Sequence, residues 1–244
     1  LYRLKTKLHV LMDLSTSYNI IQTLKKSGCH VELTDLRIGP LKDKEISELA
    51  KCGPKAVDIT YRETMDINSL NYYDWLSYEI LNLNPDYCFV PYGTGDLYIN
   101  ILKTLNKEYV QRKYKKDPRF TGELDILTKC CFLGATTDNP NSKMDKLFSY
   151  HLPSRAKSEA FIKGLIEDKI IDEGSGVHIV EESYLDKALS ISQNVSIRCE
   201  PSGIAGLALL LQLSNMVPRH KKILIINTGF TNYQSPANPY GIIN

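Results

Sequence analysis

The chain has 244 residues, 43% of them hydrophobic and 24% charged, with a formal net charge of +2. That length and composition describe an ordinary globular protein with a substantial core. The near-balance of charge gives no argument for nucleic acid or an anionic membrane as partner. No apolar run reaches the roughly 20 residues a bilayer span needs; the longest lies within Ile204 to Leu213.

The opening Leu1-Tyr2-Arg3-Leu4-Lys5 lacks the apolar stretch and small-residue cleavage site of a secretory leader. It reads as a start in mid-fold, as expected of a fragment, a processed chain or an excised domain. The cysteines at 29, 52, 88, 130, 131 and 199 form no CxxC pair, so reduced thiols and a cytoplasmic setting are the expectation. Histidines 9, 30, 151, 178 and 220 show no HxxxH or HExxH spacing, and no metal site is expected.

In chain order, Leu8 to Met12 reads as a buried strand. Ser15 to Ser27 reads as a helix with Tyr18, Ile21 and Leu24 on one face, ended by Gly28. Cys29 to Leu33 is the next strand, Lys44 to Lys51 a short helix stopped by Gly53-Pro54, and Asp58 to Tyr61 a further strand. Ser69 to Asn82 is a helix carrying Leu70, Tyr73, Leu76 and Ile80. Asp86 to Tyr92 is a strand, followed by a glycine turn and a helix from Asp96 to Asn106. Lys107 to Glu123 is basic and polar and reads as a solvated surface loop, a better reading than a nucleic-acid contact despite the interleaved Tyr109 and Tyr114.

Lys129 to Ala135 is a strand, with Cys130 and Cys131 on opposite faces of it. Ser154 to Asp168 is helical in part. Val177 to Val180 is a strand and Ser183 to Gln193 a helix. Ser202 to Asn215 is an almost wholly apolar helix, and Ile223 to Asn227 the last strand. Strands alternating with helices predict an α/β fold with a mainly parallel twisted sheet. Ligands of such sheets sit at the carboxyl ends of the strands.

Three segments occupy such ends. Val90-Pro91-Tyr92-Gly93-Thr94-Gly95-Asp96-Leu97 runs from strand through glycine turn into helix. Its amides and the helix dipole suit a phosphate; it also reads as a plain turn with Asp96 stabilising the helix start. Glu200-Pro201-Ser202-Gly203-Ile204-Ala205-Gly206-Leu207-Ala208 offers Ser202 as N-cap and small residues for close packing, and by itself it reads as a buried core helix. Asn227-Thr228-Gly229 ends a strand on a hydroxyl. That hydroxyl suits a ring nitrogen that stays neutral, and the segment also reads as ordinary turn residues.

In this order and rough spacing the three segments resemble the fold type II pyridoxal-phosphate enzymes, the tryptophan synthase β superfamily. The 90–97 segment resembles that family's "vPvGtGgl" phosphate loop, and 200–208 its "EPSgAagLA" helix start. The 227–229 segment is most like the "TG" ending of threonine synthases. Ser17 to Leu33, Tyr78 to Asp86 and Val177 to Leu189 are similar to its connecting units, so the resemblance covers nearly the whole chain.

It implies helices on both faces of the sheet, residues 1–53 as the remainder of a small α/β domain, and 54–244 as the large cofactor-binding domain. It implies pyridoxal 5'-phosphate held by Gly93, Thr94, Gly95, Asp96 and Leu97, mainly through backbone amides, with Thr228 facing the pyridine nitrogen. The implied activity is elimination or replacement on a small hydroxy- or O-activated amino acid, in a homodimer.

Two departures stand out. The family's "SxKxR"-like lysine segment and "SSGN"-like substrate loop do not occur in the chain and would precede Leu1. No lysine here is therefore assigned as catalytic, and Lys51, Lys55 and Lys103 read as solvated. Asp96 also stands where the family has glycine, and a carboxylate repels a phosphate. A non-catalytic descendant of the fold and an unrelated nucleotide- or phosphate-binding domain are the alternatives.

Overall fold

The computed structural model describes residues 7–14, 16–36, 41, 43–53, 73–114, 130–148 and 153–229. The expected strand at Asp58 to Tyr61 lies outside these residues, as does Lys55. The chain divides into two compact units, one holding the described residues up to Gly53 and the other those from Tyr73 onward.

The first unit is a strand–helix–strand crossover with a trailing helix: β1 (His9–Asp13), α1 (Tyr18–Lys26), β2 (His30–Thr34) and α2 (Asp43–Leu49). β1 and β2 pair in parallel, His9 opposite His30 and Asp13 opposite Thr34. Gly28, at φ +83°, ends the α1 turn as expected. Of the expected apolar face only Ile21 is buried, while Tyr18 is 71% exposed. Tyr18 is the first residue of a helix that begins later than Ser15, so it projects beyond the packed face.

The second unit contains α3 (Asp74–Asn82), β3 (Tyr87–Pro91), α4 (Asp96–Tyr114), β4 (Cys131–Thr136), a 3-10 turn (Asp145–Leu147), α5 (Pro153–Glu167), β5 (Gly176–Ile179), α6 (Glu182–Asn194), α7 (Ala205–Gln212) and β6 (Ile223–Ile225). Its sheet has four parallel strands in the order β5-β4-β3-β6. Alternation along β3 and β4 feeds two cores. Cys88, Val90, Cys130 and Phe132 meet Ile80, Tyr98, Ile101 and Leu165 from α3, α4 and α5. Phe89, Cys131, Leu133 and Ala135 meet Leu185, Ala188, Ala208 and Leu209 from α6 and α7. Helices therefore cover both faces, as expected of a mainly parallel sheet. Among the described residues no helix is long and apolar enough to cross a membrane.

Cys130, just before β4, and Cys131, its first residue, enter opposite cores, as expected of adjacent residues in extended chain. Burial pushes the Cys88 and Cys131 thiols up to about 12 and raises that of Cys130 as well. The thiolate is the reactive form. Iodoacetamide at pH 8 is therefore expected to label the partly exposed Cys29, Cys52 and Cys199 and to spare Cys88, Cys130 and Cys131 until the chain is unfolded. Peptide mass spectrometry checks this; early labelling of Cys88 would contradict the packing.

Three expectations are corrected. The segment from Lys107 to Tyr114 is not loop but the last turns of α4. Its Lys, Glu, Gln and Arg residues are good helix formers, and Glu108, 6% exposed, accepts a 2.6 Å hydrogen bond from the Tyr78 hydroxyl of α3. The apolar helix of 202–215 is shorter, Ala205–Gln212, and Ser202 does not cap it. The chain instead makes a separate turn in which the Ile204 amide donates to the Glu200 carbonyl at 3.1 Å. Lys103 is half-buried rather than solvated, and burial lowers its pKa while Asp96 opposes that shift. The exposed Lys51 is ion-paired with Glu32 at 2.8 Å.

Candidate functional site

β3 and β6 are parallel neighbours, with Tyr87 opposite Ile223 and Phe89 opposite Ile225. One step further the Ile226 amide donates to the Phe89 carbonyl at 2.9 Å. At the entry to both strands, Asp86 accepts from the Lys222 amide at 2.8 Å and the Lys221 ammonium at 3.0 Å. Those partners, the Lys222 amide first, hold the Asp86 carboxyl below its usual range. The register is thus tied at one end. At the other, the segments after Pro91 and after Ile225 leave the sheet at the same edge, from strands about 4.8 Å apart.

The first segment is the glycine turn. The Tyr92 amide closes the ladder onto the Ala135 carbonyl at 2.7 Å, and its side chain is 2% exposed. Gly95, at φ +89°, accepts the Ile99 amide at 2.8 Å and so begins α4. A Cβ at Gly95 would stand 2.7 Å from the Tyr92 ring and hydroxyl. The amides of Gly93, Thr94, Gly95, Asp96 and Leu97 donate to no acceptor among the described residues. They form an unspent row of donors at the positive end of a helix.

The side chains of this segment contribute less. Thr94 Oγ1 donates to Asp96 Oδ2 at 2.8 Å, and both residues are exposed. Leu97 packs against the α3–α5 core. An anion here would meet main-chain donors, with the Thr94 hydroxyl already engaged by the carboxylate.

The second segment is built against the turn preceding α7. The Glu200 amide donates to the Gly229 carbonyl at 3.1 Å, and the Thr228 amide donates to the Gly203 carbonyl at 3.3 Å. Asn227 braces the strand end by donating from Nδ2 to the Arg198 carbonyl at 3.1 Å and accepting the Gly229 amide at 3.0 Å. A Cβ on Gly203 would lie 2.7 Å from the Gly229 carbonyl oxygen and 3.1 Å from Asn227 Oδ1. The small residues of the Glu200–Ala208 segment thus allow close packing on main chain, and Gly206 does the same against Phe89. Thr228 is exposed, and its hydroxyl makes no hydrogen bond among the described residues.

Lys146 and Glu200 join these strand ends as an ion pair that no sequence motif predicts. The Lys146 carbonyl oxygen is 3.1 Å from the Cβ position of Gly93, which sets the 3-10 turn directly against the glycine loop. The Lys146 ammonium pairs with the Glu200 carboxylate at 2.5 Å. Glu200 was visible only as part of a helix-start motif. Lys146, one of two lysines in the segment from Asn141 to Leu147, carries no pattern that marks it.

The edge therefore offers a row of main-chain donors at one place and a lone hydroxyl at the neighbouring strand end. A phosphate ester suits the first and a neutral heteroaromatic nitrogen the second, so these residues fit the two polar ends of pyridoxal phosphate. Among the described residues no group of three or more His, Cys, Asp or Glu side chains could hold a metal ion.

No protein-family model matches the chain, and no curated protein matches it by sequence. Solved structures do match. A serine racemase from Dictyostelium discoideum aligns with a TM-score of 0.58 at 17% identity, over 93% of this chain and 69% of its own. An O-ureido-L-serine synthase aligns with a TM-score of 0.56 at 14% identity, over 91% of this chain and 63% of its own. A fungal L-serine ammonia-lyase from Rhizomucor miehei aligns with a TM-score of 0.54 at 14% identity, over 91% and 69%. The chain has the fold type II architecture of these enzymes and spans about two thirds of their length.

Proposed function

We propose that the chain is the larger part of a pyridoxal-phosphate enzyme acting by elimination or replacement on a hydroxy- or O-activated amino acid. The observation that carries this reading is the emergence of the Gly93–Leu97 amides and the Thr228 hydroxyl from adjacent parallel strands at one sheet edge. The structural neighbours add support through their names, which specify serine and O-ureido-L-serine. A threonine synthase-like substrate is the finer proposal, supported by the Thr228-Gly229 ending. A homodimer is proposed for the whole protein on the same resemblance, and a cytoplasmic setting on its cysteines, which form no CxxC pair.

When bound, the cofactor supplies an electron-withdrawing ring conjugated to the substrate amine. The chain's own residues would do the binding and orienting. The amides from Gly93 to Leu97 would take the phosphate, with the α4 dipole adding to their field. The Thr228 hydroxyl would donate to the ring nitrogen and leave it uncharged. No residue of the chain is given a catalytic role, and the lysine that carries the cofactor is proposed to lie in the whole protein outside residues 1–244. Treating the full-length protein with pyridoxal phosphate and borohydride should fix the cofactor on a single lysine peptide absorbing in the near ultraviolet. Absence of any fixed adduct would overturn the reading.

Asp96 favours a second reading, a non-catalytic descendant that kept the fold for binding. Its carboxylate stands at the first helical position beside the donor row. A charge about 4 Å from an anion in water-like surroundings costs about 1 kcal/mol. Asp96→Asn is therefore expected to tighten inorganic phosphate binding about fivefold at low salt. The same change should lower stability by a few tenths to about 1 kcal/mol, because a carboxylate favours a helix start. Calorimetric titration and thermal melts read the two opposite signs. If measurable anion binding appears only in the variant, the second reading is preferred.

A further inference from the structure

We propose that Lys146 and Glu200 form a clasp that sets the distance between the two ends of the cofactor site, acting as positioning residues; this deepens the pyridoxal-phosphate reading and rests on it. The two side chains meet at 2.5 Å, with 35% and 18% of their surfaces exposed. What gives the pair its meaning is where each main chain is held.

Lys146 belongs to the 3-10 turn whose carbonyl lies 3.1 Å from the Cβ position on Gly93. That turn has little freedom. Leu147 is 7% exposed, its amide donates to the Met144 carbonyl at 2.8 Å, and Met144 is fully buried. Glu200 is held equally firmly at the other end. Its amide donates to the Gly229 carbonyl at 3.1 Å, next to Thr228, and its carbonyl accepts the Ile204 amide at 3.1 Å. The ion pair thus ties the wall of the glycine loop to the wall of the strand end that carries the hydroxyl. The backbone ladder fixes how β3 and β6 run side by side, but it does not fix how far apart the segments beyond them stand.

A ligand that engages both ends benefits from a span fixed in advance, because ordering the two walls is then no part of binding. A ligand that engages only the phosphate end gains nothing from it. This separates the clasp from the simpler idea that Lys146 neutralises the phosphate directly. In that case removing the ammonium would weaken every phosphate-bearing ligand, and neutralising Glu200 would remove a nearby negative charge and strengthen them.

The full-length protein, freed of any bound cofactor, and its variants Lys146→Met, Glu200→Gln and the double variant are titrated by calorimetry with pyridoxamine 5'-phosphate and with inorganic phosphate. Either single change should weaken pyridoxamine 5'-phosphate about three- to tenfold, the range a partly buried pair supports. The double change should add little beyond either single one, the signature of coupled residues. Inorganic phosphate should bind the parent and all variants alike. Using both singles keeps the test valid if one of them folds poorly in thermal melts. Unchanged pyridoxamine 5'-phosphate affinity would overturn the clasp while leaving the functional reading intact. Parallel losses for both ligands in Lys146→Met would overturn it in favour of a direct phosphate contact. A full-length parent protein that binds no pyridoxamine 5'-phosphate would remove the functional reading, and the clasp with it.

Discussion

An alanine at position 95 is expected to weaken binding of both inorganic phosphate and pyridoxamine 5'-phosphate at least about tenfold and to lower folding stability by about 2–4 kcal/mol. Two independent penalties meet there. Gly95 sits at φ +89°, where a side chain costs about 1–2 kcal/mol. The new Cβ would also stand 2.7 Å from the Tyr92 ring. That ring is 2% exposed and packs edge-on against Tyr98 with centroids 5.6 Å apart, so it has no free space into which to swing. Relief requires the turn itself to shift, which re-aims the amides of Thr94 to Leu97. Urea melts and calorimetric titration of the variant read the two consequences. Unchanged anion affinity would mean that the donor row does not depend on this turn.

Gly203→Ala is expected to act at the opposite end of the site. Its Cβ would meet main chain rather than a flexible tip, at 2.7 Å from the Gly229 carbonyl oxygen and 3.3 Å from the Gly229 amide nitrogen. Overpacking of this kind costs about 1–3 kcal/mol. The strand end must move outward, and the Thr228 hydroxyl moves with it because the Thr228 amide is bonded to Gly203 itself. Pyridoxamine 5'-phosphate should therefore bind about tenfold more weakly, near 1.4 kcal/mol, while inorganic phosphate is unaffected. The contrast with Gly95→Ala is the informative part: one glycine governs both ligands, the other only the ligand with a ring nitrogen. Equal losses for the two ligands in Gly203→Ala would show that Gly203 acts on general stability alone.

The parallel strands, their alternation with helices and the glycine turn were legible because each leaves a local signature. A buried β3 reads as an apolar run, a positive-φ turn calls for glycine, and two adjacent cysteines in extended chain part to opposite cores. The end of α4 was not legible. Lys107 to Tyr114 is polar and basic, like a solvated loop, but its residues are good helix formers, and Glu108 gains a contact with another element, the hydrogen bond from Tyr78 of α3. Ser202 looked like a cap because serine before an apolar stretch usually is one. The chain instead makes a separate turn there, whose Glu200 amide is bonded to Gly229.

The site divides along the same line. Gly93 to Leu97 and Thr228 are proposed from motif and resemblance, and the structure places them beyond the carboxyl ends of two neighbouring strands. That the Thr94 hydroxyl is engaged by Asp96 could not be read, since a two-residue spacing permits such a bond without requiring it. The Lys146–Glu200 pair was further out of reach. Its partners are separated by 54 residues, and only the folded arrangement of the 3-10 turn and the segment before α7 puts them together.

Calorimetric titration of the full-length protein, freed of any bound cofactor, with pyridoxamine 5'-phosphate, set beside pyridoxamine, inorganic phosphate and adenosine monophosphate, tests the two-ended site most directly. Saturable binding of pyridoxamine 5'-phosphate at one site per chain, tighter than either of its halves and tighter than the nucleotide, is the predicted result. Tighter binding of the nucleotide, or no gain of pyridoxamine 5'-phosphate over inorganic phosphate, would contradict it.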